Sequence, residues 1–156
     1  LDEPWIAPQP TRWKHVDIAI AFSETHFEMK YGLIWLLYND LSDFSLRLCY
    51  PPGRWSEVLL SDLFADRVAG DWLTYAKAIT ASRVVLACNS GAHVLAVAMG
   101  KPVVMYEPME ARWNPIFFPF GTAGPQVTLV RGNDGQPTTD ARHTADTMRE
   151  VLHATH

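Results

Sequence analysis

The run RVVLACNSGAHVLAVAMGKPVVMY, residues 83–106, decides the fold. After Arg83, residues 84–88 are apolar with no polar alternation, the pattern of a strand buried on both faces of a parallel sheet. Asn89-Ser90-Gly91 breaks that run as a tight turn. Residues 92–99 then suit a short helix. Gly100 falls where a left-handed residue closes a helix, and Pro102 follows, as expected just past a helix end. Residues 103–106 (VVMY) form the next apolar strand. Strand, helix, strand in this order calls for parallel strands with the helix packed on the sheet.

The same alternation extends in both directions. Upstream, residues 16–22 (VDIAIAF) predict a buried strand. Thr25 and Glu28 have the spacing of a capping box. Phe27, Tyr31, Ile34, Trp35 and Tyr38 then share one helical face, with Gly32 as a weak point. Residues 44–50 (FSLRLCY) alternate as a second strand, and Pro51-Pro52-Gly53 ends it. A short helix is expected over 56–67 and a very short strand at 68–69. Asp71 is placed to cap a helix running to about residue 81. Downstream, 107–125 is a loop rich in proline and aromatics, 126–130 is the last strand, and 140–153 is a closing helix with Ala145, Met148, Val151 and Leu152 inside. The expectation is a three-layer, Rossmann-like α/β domain with a parallel sheet of five or six strands. Ligands in such folds bind beyond the carboxyl ends of the strands. That rule singles out 23–30, 51–55, 69–71, 89–93 and 107–121.

Composition narrows the classes. The 156 residues suit one domain. Apolar residues at 48% against 19% charged supply a core and exclude wholesale disorder. The net charge of −4 and the lack of any Lys/Arg run argue against nucleic acid as a partner. Cys49 and Cys88, both in apolar segments, are expected to be buried free thiols. The longest apolar stretches, such as 33–38, fall far short of the about 18 residues that cross a bilayer. His15, His143, His153 and His156 have no metal-ligand spacing, so no metal is expected. There is no Gly-x-Gly-x-x-Gly after a strand, no Walker lysine loop, no Gly-x-Ser-x-Gly and no Asp-x-Asp. Residues 1–15, with three prolines, are expected to be a lead-in or linker, and 16–156 the domain. No signal peptide opens the chain, and its start at Leu1 suits a processed product or a piece of something longer.

Local chemistry marks a few residues. The turn Asn89-Ser90-Gly91 feeds a helix whose first N–H groups and positive dipole end point beyond the strand. Gly91 allows close backbone approach, so this is an anion or phosphate site in principle. The plainer alternative is that Asn89 or Ser90 only caps the helix. Lys30 is either a phosphate partner or a solvated helix lysine. Glu24 is either a general base or a carboxylate favoured by a helix start. His26 is either a proton shuttle or a first-turn surface residue. Arg112-Trp113 either anchors the loop or stacks on a ligand.

A longer ordered set resembles a known family. It comprises Asn89-Ser90-Gly91, then Leu95 through Met99 and Gly100-Lys101-Pro102-Val103, then Arg112-Trp113-Asn114-Pro115. Upstream stand Val68-Ala69-Gly70 before Asp71-Trp72-Leu73, and Lys30-Tyr31 after the first strand. This series resembles the donor-binding half of bacterial heptosyltransferases, family nine of the glycosyltransferases. The specific part covers 68–121. Asn89 stands where the family has Asp, and Val94 where it has His, with His93 one position earlier. One helical step turns a side chain by about 100°. Glu107-Pro108-Met109 replaces a Gly-Pro-Thr, and Ser23-Glu24 replaces a glycine turn.

The resemblance implies one half of the two-domain arrangement called GT-B, with a nucleotide-diphosphate sugar as substrate and no cofactor. The Ser90, Gly91 and Ala92 backbone, with Asn89, would hold the diphosphate, and Lys30 would offset its charge. His93, Glu107, Arg112, Trp113 and Asn114 would border the sugar or base. Glu24 is the local candidate for a catalytic base. Transfer to an acceptor hydroxyl would need an N-terminal acceptor domain or a second copy of the chain. The expected location is cytoplasmic, with peripheral attachment to the inner face of the bacterial membrane as a variant. Two alternatives stand beside it: a non-catalytic nucleotide-, sugar- or protein-binding module, and a sugar-nucleotide epimerase-like domain.

Overall fold

Ile18 and Ile20 alternate with Ala19 and Ala21, and all four are fully buried. A strand buried on both faces must sit inside a sheet covered on both sides. The computed structural model, which describes residues 13–21, 38–49, 66–68, 71–87, 91–106, 127–136, 138 and 140–155, has this arrangement. The strands are β1 (Val16–Ala21), β2 (Leu46–Cys49), β3 (Arg67–Val68), β4 (Ser82–Ala87), β5 (Val103–Met105) and β6 (Val127–Leu129). The helices are α1 (Trp72–Thr80), α2 (Gly91–Ala98) and α3 (Ala141–Ala154). Residues 38–40 are also helical. The six strands form one sheet in the order β3-β2-β1-β4-β5-β6, and every pairing is parallel.

The two faces carry different side chains. On one, Ile18, Ile20, Leu48, Val84, Leu86 and Val104 pack with Ala145, Met148 and Leu152 of α3. On the other, Ala19, Ala21, Val85, Ala87, Val103 and Met105 pack with Tyr75 and Ile79 of α1 and Ala96 and Val97 of α2. The small side chains of β1 and β4 let that second helix layer approach closely. Larger side chains on the helices fill the space.

The helix ends follow local chemistry. Asp71 accepts from the Thr74 N–H at 2.8 Å and caps α1. At the end of α2, Gly100 adopts φ 77. Its N–H reaches the Val97 carbonyl at 2.9 Å and the Lys101 N–H reaches that of Ala96 at 3.0 Å. This pair of bonds is a Schellman closure, which favours glycine at the left-handed position. Asp140 caps α3.

Most differences from the sequence expectation are at element ends. Phe44 and Ser45 precede β2 rather than belonging to it, and Arg67, expected to end a helix, lies in β3. The Ser45 carbonyl accepts from the Ile18 N–H at 3.1 Å, while its own N–H and hydroxyl donate to the Asp17 carboxylate rather than to a backbone partner. Residues 56–65 of the expected short helix, the loop 107–125, the capping box at Thr25 and Glu28, and Cys88 lie outside the described residues.

The amino-terminal edge of the sheet is held by polar anchors, one fully buried and one partly buried. Arg47, on β2, is fully buried. Its Nε donates to Asp66 at 2.9 Å. One Nη donates to the Ala78 carbonyl at 3.0 Å and to that of Ala81 at 3.3 Å. These are among the last carbonyls of α1, which find no partner within the helix. One guanidinium therefore ties β2, the entry to β3 and the end of α1. Arg83, on β4, donates to Asp17 at 3.1 Å and to the Leu152 carbonyl at 2.8 Å, joining β1, β4 and α3.

Two predictions follow from these anchors. Arg47→Met removes the donor to the Ala78 carbonyl and the partner of the partly exposed Asp66, while the Ala81 carbonyl keeps the Val16 N–H, and should destabilise the domain by about 1–3 kcal/mol in urea unfolding. For Asp17, partial burial pushes the carboxyl up. Hydrogen bonds from Ser45 and Arg83 outweigh this and leave it below its ordinary 3.8. A depressed carboxyl stabilises the fold above its unfolded value and loses that contribution as pH falls through the folded one. The stability gap between wild type and Asp17→Asn should therefore be constant near neutrality and shrink below about pH 3.8, read by urea midpoints across pH 6 to 3.

Candidate functional site

The register places six residues in one row across the carboxyl ends of the strands: Val68, Cys49, Ala21, Ala87, Met105 and Leu129. β1 and β4 are neighbours at the centre of this row. From β1 the chain proceeds outward through β2 to β3, and from β4 outward through β5 to β6. The connections leaving the two central strands therefore part in opposite directions. A crevice opens where they part, and in open α/β sheets this is where ligands bind.

Helix α2 begins at Gly91, four residues beyond the end of β4 at Ala87. Its N-terminus thus stands at the carboxyl edge beside the parting of β1 and β4. The first N–H groups of a helix have no partner within it, and they carry partial positive charge. An anion placed there meets donors and a favourable dipole without any basic side chain.

Of the residues expected to hold or border the ligand, the described ones are Gly91, Ala92 and His93. They form the first turn of α2. His93 is fully buried, whereas Val94 beside it is half-buried. Glu24, Lys30, Asn89, Ser90, Glu107, Arg112, Trp113 and Asn114 lie outside the described residues. So does His26.

Lys101 has a different task from any ligand contact. Its Nζ donates to the Ser82 carbonyl at 2.8 Å, at the amino end of β4. Burial lowers its pKa from 10.5. The Gly-Lys-Pro-Val element is therefore a helix-to-strand turn on the edge opposite the crevice. Gly100 supplies the left-handed closure, Lys101 ties it to β4, and the Pro102 carbonyl accepts from the Val85 N–H at 3.0 Å.

The sequence reading gave no role to a polar cluster at the start of α3. There His143 Nδ1 lies 2.5 Å from the Asp140 carboxylate, and its Nε2 lies 3.1 Å from Asn133 Oδ1. The hydrogen bond to His143 lowers the Asp140 pKa against a small opposing effect of burial. The Asp-x-x-His spacing at a helix start was the available signal. Among the described residues, no group of three or more His, Cys, Asp or Glu could hold a metal ion.

Cys49 is buried, as expected, in the carboxyl-edge row. Burial pushes its thiol up to about 12; the Arg47 charge opposes this and Asp66 adds to it. A thiol held neutral reacts poorly.

The domain is Rossmann-like. The strand order, the uniform parallel pairing and helices on both faces establish this. No family model matches the chain, and no curated protein matches it. Among solved structures, the chain is similar to a Listeria monocytogenes protein described as a UDP-N-acetylglucosamine 2-epimerase, with a TM-score of 0.56 and 14% identity. The match covers 88% of this chain and 37% of that one. The likeness is one of fold, and the chain spans little more than a third of that protein's length. Among the described residues, no helix is long and apolar enough to cross a membrane.

Cys49 offers a direct check on the packing of this edge. In native protein at pH 8, the peptide carrying Cys49 should stay unlabelled by a thiol reagent, and labelling should keep pace with global unfolding. Fast labelling without unfolding would mean that the row is open.

Proposed function

We propose that this domain binds a nucleoside-diphosphate sugar at the carboxyl edge between β1 and β4. The observation that carries the reading is the start of α2 at Gly91, beside the point where the sheet order reverses. In this reading the diphosphate lies on the first turn of α2, held by the amides of Ser90, Gly91 and Ala92 with the Asn89 side chain. Lys30 offsets its charge. His93, Glu107, Arg112, Trp113 and Asn114 border the sugar and base.

The chemistry proposed follows the resemblance to heptosyltransferases. An acceptor hydroxyl attacks the anomeric carbon, the bond to the diphosphate breaks, and the departing charge is stabilised by backbone donors and Lys30. A base must take the hydroxyl proton. Asn89 is an amide and cannot do so. Glu24 is the local candidate. The acceptor side would come from a second domain or a second copy of the chain, so the domain alone would bind donor with little or no turnover.

A second reading has its own support. The similar solved protein is described as a UDP-N-acetylglucosamine 2-epimerase, which suits a domain that binds the same class of substrate without an acceptor. The base tells the readings apart. Calorimetric titration of ADP, UDP, GDP and CDP, beside NAD and inorganic phosphate, should give saturable binding of one nucleoside diphosphate. Lys30→Ala should weaken it about tenfold. A preference for UDP favours the epimerase-like reading, and another base favours the transferase. Loss of all diphosphate binding up to millimolar concentration would overturn both and leave a protein-binding module.

A further inference from the structure

Arg47 has two contacts beyond those that tie β2, β3 and α1 together. Its second Nη donates to the carbonyl of Lys14. Its guanidinium also lies 5.4 Å from the ring centroid of Trp13, within cation–π range. Trp13 is 38% exposed, while the guanidinium beneath it is wholly buried. The chain then enters β1, where the Val16 N–H meets the Ala81 carbonyl at 3.0 Å. The segment thus passes over the end of α1 and covers the charged group that holds that end.

We propose that Trp13 and Lys14 form a strap closed over Arg47, so that the segment before β1 opens only when the sheet itself opens. The physical reason is the cost of exposing one side of this site. Lifting the strap removes an acceptor and an aromatic face from a buried guanidinium. The same group then holds Asp66, Ala78 and Ala81 less firmly. The strap and the α1 end are therefore coupled, and residues 13–15 belong to the cooperative unit rather than to a free linker. The consequence is positional as well. The lead-in is fastened at the amino edge of the sheet, away from the crevice between β1 and β4. Whatever precedes residue 13 starts from that edge.

Limited trypsin digestion of the full chain tests this at the Lys14–His15 bond. Cleavage there, followed by mass spectrometry, is compared with cleavage of a free peptide spanning residues 9–20. In the native protein the bond should be cut at least a hundredfold more slowly than in the peptide, with the urea dependence of global unfolding. Trp13→Ala should speed the cut about tenfold while far-UV circular dichroism stays unchanged. Arg47→Gln should remove protection altogether. Should Arg47→Gln fail to fold, the wild type and Trp13→Ala still decide. Cleavage in native wild type as fast as in the peptide overturns the proposal. So does protection that neither substitution alters.

Discussion

The burial of the Arg47 guanidinium is the constraint on which the rest of the sheet depends. A charge taken out of water must be met on every side, or the fold loses several kcal/mol. Here it is met by a carboxylate, by helix-end carbonyls and by the segment before β1. Each partner comes from a different part of the chain. The group therefore works as a fixed point around which β2, β3, α1 and the entry to β1 are arranged. Its geometry also explains why it is arginine. A forked, planar cation can donate in several directions at once, and a lysine ammonium on the same stem could not reach all of these acceptors.

The anchors share one edge. Asp17, Arg47, Ser82, Arg83 and Lys101 all lie within the first two residues of a strand or just before one, and each is hydrogen-bonded to a neighbouring element. The opposite row, Val68, Cys49, Ala21, Ala87, Met105 and Leu129, carries no charged side chain. Among the described residues, the side chains that tie strands to helix ends lie at the amino edge, while the Asp140–His143–Asn133 cluster lies at the start of α3. At the carboxyl edge the first N–H groups of α2 are available as donors, which suits a site for an anion.

Much of the architecture was legible in the residues. Apolar runs without alternation marked β1, β4 and β5 as strands buried on both faces. Asp71 and Gly100 marked helix ends, because a short carboxylate and a residue without Cβ solve specific problems at those positions. Arg47 was not legible. A strand of the pattern FSLRLCY suggests an arginine turned to solvent, and only the tertiary fold brings α1 and Asp66 around it. The Gly-Lys-Pro-Val element was read as part of a family pattern, yet its lysine turns out to fasten β4 and β5 on the edge away from the crevice. Of the candidate site, the start of α2 was legible from a turn between a strand and a helix. The finer assignment to heptosyltransferases rests on motif order, while the likeness to a solved epimerase-described protein concerns fold.

The most direct test of the central claim is amide chemical-shift mapping. The labelled domain is titrated with the nucleoside diphosphate that binds it. A diphosphate on the first turn of α2 should move the Gly91, Ala92 and His93 amides most, with smaller shifts at Ala21 and Ala87. Amides of Arg83 and Lys101, on the opposite edge, should stay in place. Large shifts at Arg83 and Lys101 with a silent first turn of α2 would contradict the account.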